Sequence, residues 1–145
     1  MKKIYSVVLP LVVFALFACN QVAFAVPAVS GAWKGTIMQA SYTACSGLPV
    51  VMTLTQCSTG SYVVRGTFKL GNTTIPIVGK FRLDGVTLDI SGTVQTTASL
   101  TSLTIVAVFV PSTGKIQITD MDNMITSFTT GQGSPYTYDL CSLSK

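Results

Sequence analysis

The sequence predicts an all-β fold, an antiparallel up-and-down meander of about eight strands closed into a small barrel. Three observations predict it. Beyond residue 26, turn residues recur about every ten positions, Thr, Val and Ile dominate between them, and apolar residues alternate with polar ones wherever the register can be tested. A two-sheet β-sandwich is the alternative. Closure is preferred because a run of short strands joined by short loops has to hide its edges, and a barrel does so most completely.

A leader precedes this pattern. Lys2 and Lys3 make a basic start, Ile4 to Cys19 is almost wholly apolar, and Ala23-Phe24-Ala25 fits an A-x-A cleavage site, so residues 1–25 read as a secretory signal peptide. The apolar run is shorter than a membrane-spanning helix needs, and Pro10 interrupts it. Leu16-Phe17-Ala18-Cys19 resembles a bacterial lipobox, so lipidation of Cys19 is the alternative processing route. Either reading exports the chain, to the periplasm or the extracellular space, and the second leaves it lipid-anchored. Of 145 residues, 120 remain after residue 25, with seven cations against five aspartates, a net charge of +2. That small charge, with no run of basic residues, excludes nucleic acid as a partner. The single domain is expected to cover 26–145.

Strands are expected at about 32–42, 49–57, 61–70, 73–83, 86–95, 101–110, 115–121 and 135–143. In 61–70, Tyr62, Val64, Gly66, Phe68 and Leu70 share one face; in 73–83, Ile75, Ile77, Gly79, Phe81 and Leu83 do; in 86–95, Val86, Leu88, Ile90, Gly92 and Val94 do. Gly71-Asn72 closes the first of these hairpins with Phe68 opposite Ile75. Asp84-Gly85 reads as a type I′ turn, pairing Leu83 with Val86, Phe81 with Leu88, Gly79 with Ile90 and Ile77 with Gly92. Every inward residue then meets an inward partner, and Lys80 lies opposite Asp89 on the outer face. The inward glycines Gly66, Gly79 and Gly92 read as curvature, with room for a small ligand as the other reading. In 101–110, Leu103, Ile105, Ala107 and Phe109 point inward, which turns Val106, Val108 and Val110 outward as an apolar row suited to a partner, another copy or a covering loop.

Of four cysteines, Cys19 belongs to the leader. Cys45 and Cys57 would lie near opposite ends of one strand, too far apart for a disulfide, so Cys141 is expected to bridge to Cys45 or to Cys57. No C-x-x-C spacing occurs.

Gly31-Ala32-Trp33 resembles the G-x-W element that opens the lipocalin barrel, and Thr119-Asp120-Met121 resembles the T-D-Y element between later lipocalin strands, with Met121 in place of tyrosine. This resemblance implies a calycin-like barrel. Lipocalins also carry an arginine near the C-terminus that packs across the tryptophan; this chain ends Cys141-Ser142-Leu143-Ser144-Lys145, without one. The layout is also similar to small exported bacterial β-barrel domains, which share W-x-G (Trp33-Lys34-Gly35), a cysteine in the first loop (Cys45), L-T-Q (Leu54-Thr55-Gln56) and a cysteine in the last strand (Cys141).

Candidate chemistry is sparse. The chain has no histidine and no glutamate, which removes the usual Ser-His-Asp, Cys-His and His-ligated zinc sites. No S-x-x-K motif occurs, no cofactor is expected, and the chain reads as non-enzymatic. Asp120, Asp122 and Asn123 are the only acidic cluster. A D-x-D-N run can offer oxygens to Ca²⁺, but it lacks the EF-hand glycine and glutamate, and a hydrated turn is expected there. Arg65, Lys69, Lys80 and Arg82 gather on the outer face of 61–83 and could meet an envelope component or an anionic lipid. Asn72-Thr73-Thr74 fits a glycosylation sequon. The closed-barrel reading makes a small apolar ligand the expected partner, with Trp33, Phe68, Ile77 and Phe81 as its candidate lining. If export follows the A-x-A reading, N-terminal sequencing of the secreted protein will begin at Val26; a start at a lipid-modified Cys19 would establish the other route.

Overall fold

Nine strands form one antiparallel sheet in a computed structural model, which describes residues 24–37, 47–137 and 142–145. They are β1 (Gly31–Thr36), β2 (Pro49–Gln56), β3 (Val63–Leu70), β4 (Thr73–Phe81), β5 (Thr87–Gln95), β6 (Ser99–Val110), β7 (Lys115–Ser127), β8 (Gly133–Thr137) and β9 (Ser142–Leu143). Neighbours in sequence are neighbours in the sheet from β1 to β8, as the meander reading requires, while β9 turns back to pair with β7. The sheet closes where Ser144, just beyond β9, bridges Lys34 of β1: each backbone N–H donates to the other's carbonyl, at 2.8 and 2.9 Å. The architecture is thus a barrel and not a two-sheet sandwich. Residues 1–23 of the expected leader, with Cys19, and both Cys45 and Cys141 lie outside the described residues, as does the end of the strand expected at 32–42.

The central register follows from alternation. Phe68 pairs with Ile75, Phe81 with Leu88, Gly79 with Ile90, Ile77 with Gly92, and Lys80 with Asp89. Because successive side chains point to opposite faces, this pairing sends one apolar row per strand inward. Trp33, Met52, Leu54, Val64, Phe68, Ile75, Phe81, Leu88, Leu103, Ile105, Ile116 and Ile118 are among the residues that fill the interior.

Three expectations are corrected. First, the β4–β5 connection is not a type I′ turn. That turn needs positive φ at both central residues, and only Gly85 has it (φ 72°). The last ladder bond has Arg82 N–H donating to the Thr87 carbonyl at 2.8 Å, and within the loop Gly85 N–H donates to the Arg82 carbonyl at 3.0 Å. Four residues are looped out, and Leu83 lies 87% exposed instead of facing inward. Second, the strand expected at 115–121 runs on to Ser127. A bulge opposite Val106/Ala107 shifts the register, so that Ile118 pairs with Ala107 and Asp120 with Val106. Ile118 and Met121 can then both be buried although three positions apart. Asp120, Asp122 and Asn123 are therefore mid-strand residues and not a hydrated turn. Turn propensity loses here to the length of the pairing with β6. Third, the expected last strand, 135–143, is divided: β8 pairs with Asp122–Thr126 and β9 with Ile116–Gln117.

The two ends of the barrel differ. At the base, residues 24–30 cross beneath the strands, and Val29 is fully buried. Gln56 holds this segment: its Oε1 accepts from Val29 N–H at 3.0 Å, and its Nε2 donates to the Pro27 carbonyl at 3.0 Å and the Ser61 carbonyl at 3.2 Å. The opposite end carries the Gly71-Asn72 hairpin, the β5–β6 turn and the β7–β8 turn.

Neighbouring chain approaches closely at the inward glycines. A Cβ on Gly66 would stand 1.7 Å from the Thr53 carbonyl oxygen, one on Gly92 2.4 Å from the Pro76 oxygen, and one on Gly79 2.8 Å from a Val64 methyl. The space is occupied by neighbouring chain, so these glycines serve close approach and not a ligand chamber. Gly66→Ala is expected to lower unfolding stability in urea by about 1–3 kcal/mol through overpacking. Gly133→Ala, whose added carbon meets nothing closer than 3.4 Å, is the comparison and should stay within about 0.5 kcal/mol.

Candidate functional site

The inward rows of β3, β4, β6 and β7 converge at the end away from the Gln56 clamp. There they leave a cleft of ≈ 570 Å³ in the mouth of the barrel. Leu70, Ile75 and Ile125 supply apolar walls, while Gly71, Asn72 and Thr73 form part of the rim. Two polar side chains also face it, Thr101 from β6 and Asn123 from β7, each only 7% exposed. They reach the same face because Thr101 pairs with Ile125 and Leu103 with Asn123, which makes Thr101 and Asn123 diagonal neighbours across the β6–β7 ladder. Among the described residues, no charged one lines the cleft. Asp122 and Lys69, adjacent in sequence to lining residues, are turned outward by alternation and are exposed.

The sequence-derived lining is placed differently. Trp33, Phe68, Ile77 and Phe81 are packed core, none more than 3% exposed, and none lines the mouth. Trp33 is fixed on three sides. Its Nε1–H donates to the Val29 carbonyl at 2.7 Å, Phe109 meets it edge-on at 6.3 Å between ring centroids, and Lys145 Nζ lies 4.9 Å from its centroid. A cation therefore does cross the tryptophan, and it is the C-terminal lysine. The T-D-Met element, by contrast, sits within β7 at the bulge and not between strands.

Arg65, Lys69, Lys80 and Arg82 are all exposed on the outer face, as expected. Asp89 lies opposite Lys80 as the register predicts, but its ion-pair partner is another of these cations. The pair is with Arg82, whose Nε and Nη2 donate to the two carboxylate oxygens at 2.8 and 2.7 Å. The planar guanidinium matches both oxygens at once, which an ammonium cannot do. Val106, Val108 and Val110 are half-buried and do not stand out as an exposed patch. Asp120 and Asp122 point to solvent while Asn123 points into the mouth, so the three do not converge on one cation. Among the described residues no group of three His, Cys, Asp or Glu side chains is placed to hold a metal. Cys57 is an exposed thiol.

The mouth could not be read from the sequence because its polar members sit in segments that looked ordinary. Thr101 was one of many strand threonines, and Asn123 belonged to a supposed turn. Extending the inward alternation of 101–110 to its first residue would have marked Thr101; only the bulge in β7 reveals Asn123.

No protein-family model matches the chain, and no curated protein matches it. Two solved structures resemble it. One is apo short afifavidin, with TM-score 0.47 and 19% identity, covering 83% of this chain and 100% of that one. The other is the short afifavidin–biotin complex, with TM-score 0.46 and 22% identity, covering 84% of this chain and 94% of that one.

The outer acids set a pH dependence. The Arg82 guanidinium beside Asp89 holds that carboxyl below its usual range, and the Thr87 hydroxyl with the Thr87 and Val86 N–H groups does the same for Asp84. A carboxyl depressed in the folded state contributes stability above its unfolded pKa, and that contribution is lost as pH falls through the folded value. Stability should therefore decline below about pH 4, and the decline should be shallower in an Asp84→Asn, Asp89→Asn double variant followed by urea unfolding across pH.

Proposed function

We propose that the protein is an exported, non-enzymatic barrel that binds a small, mainly apolar molecule in its mouth. The observation that carries this reading is the ≈ 570 Å³ uncharged cleft, walled by Leu70, Ile75 and Ile125, with Thr101 and Asn123 nearly buried among them. Its size falls in the range of about 300–1,000 Å³ usual for small-molecule sites, and apolar walls with a few placed polar groups are the usual composition. The asymmetry of the barrel supports it as well. Gln56 ties residues 27–29 across the base and the core fills the interior, which leaves the cleft at the opposite end for a ligand. Export is read from Lys2, Lys3, the apolar run and Ala23-Phe24-Ala25. The non-enzymatic reading is supported by a lining whose described residues offer no ionisable group for acid–base or nucleophilic work.

Nile red, an uncharged apolar dye, is expected to bind the purified protein saturably at one site. Leu70→Trp, which puts an indole into the mouth from its half-buried rim, should abolish that binding. Thr104→Trp, on the outer face, should leave it intact. Binding that is non-saturable, or indifferent to Leu70→Trp, would overturn the assignment of the mouth.

A further inference from the structure

We propose that the mouth selects uncharged molecules that carry a hydrogen-bonding head, received by Thr101 and Asn123, with an apolar body against Leu70, Ile75 and Ile125. This inference rests on the mouth being the binding site and specifies what it takes. The chemistry follows from the lining. A threonine hydroxyl both donates and accepts, and an asparagine amide carries donors on nitrogen and an acceptor on oxygen. Set as diagonal neighbours across β6 and β7, the two complement a group with both capacities, such as a primary amide or an alcohol. They also lie deeper than the rest of the polar lining: each is 7% exposed, whereas Asn72 and Thr73 at the rim are exposed. A head group seated there leaves water, so the match between its donors and acceptors and those of the protein decides whether it binds.

A charged head has no counter-ion to meet. None of the ten described residues lining the cleft is charged, and the ionisable side chains nearest to them in sequence, Lys69 and Asp122, are on the opposite face of their strands. A carboxylate or ammonium drawn to the level of Thr101 and Asn123 would lose hydration without gaining an opposite charge. The outer basic residues do not alter this, because alternation that sends Phe68 and Leu70 inward sends Lys69 outward. Selection for neutral ligands is thus a consequence of the same register that builds the core.

The test uses four compounds with one body and different heads: octanamide, octanol, octanoate and octylammonium, each displacing Nile red from the intact protein at pH 7. Octanamide and octanol are expected to displace it about tenfold or more better than the two ions, and a Thr101→Val, Asn123→Leu double variant should lose that preference through weaker octanamide binding. Backbone amide shifts at residues 101, 123 and 125 of the unsubstituted protein on adding octanamide provide a readout that does not depend on the variant folding. Equal or better displacement by octanoate or octylammonium, or shifts confined to the outer face, would overturn the selectivity. If Nile red saturates at the mouth and the heads are not distinguished, or none of the four displaces it, only the selectivity fails. If Nile red itself does not saturate, the mouth fails as a site and the selectivity with it.

Discussion

Close approach of the chain at a few inward glycines is the constraint on which the rest of the structure depends. A meander hides its edges only if the sheet coils until its first strand meets its last. At Gly66, Gly79 and Gly92 the neighbouring backbone or side chain comes within 3 Å of where a Cβ would stand. These three residues lie on adjacent strands of the unit whose register is most tightly specified, so the bend is built where the pairing is least able to slip. The coil carries β1 round to the C-terminal residues, where Lys34 and Ser144 exchange their backbone bonds. It also brings β3 and β4 across from β6 and β7, which is what makes their inward side chains walls of one cleft.

Closure then separates two ends with different chemistry. The base is assembled from the N-terminal segment, with Val29 buried, Trp33 bonded to its carbonyl, and Gln56 tied to residues on both sides. These contacts satisfy backbone groups that a barrel end would otherwise leave to water. The tryptophan that marks the start of the barrel is a structural centre there, covered by Phe109 and Lys145. Trp33 and Phe109 thus pack at the base, while the described lining of the mouth cleft is aliphatic and polar.

Much of the fold was legible because alternation is local and self-checking. For 61–95, a register chosen from turn positions put every inward residue opposite another, and the same pairs recur in the structure from Phe68–Ile75 to Ile77–Gly92. The misreadings share a cause. Asp84-Gly85 and Asp120 to Asn123 were read by the turn preference of their residues, but the first connection is looser and the second is strand. Ladder pairing and a bulge, both non-local, outweighed those preferences. The Lys80–Asp89 register was legible, but not which cation would bind the acid: opposite position favours Lys80, while guanidinium geometry favours Arg82 on the diagonal.

By itself, the sequence determined the all-β class, the strand order, the inward and outward faces of the central strands and the absence of histidine and glutamate chemistry, because composition and period-2 patterning act over a few residues. Tertiary structure decided which inward residues became core and which became mouth. Trp33, Phe68, Ile77 and Phe81 are as apolar as any ligand wall, and only closure of the barrel shows that their neighbours fill the space around them. Thr101 and Asn123 became a pair because a bulge in β7 reset its facing and the coil set that strand across from β3 and β4, and neither event is written in any short stretch of sequence.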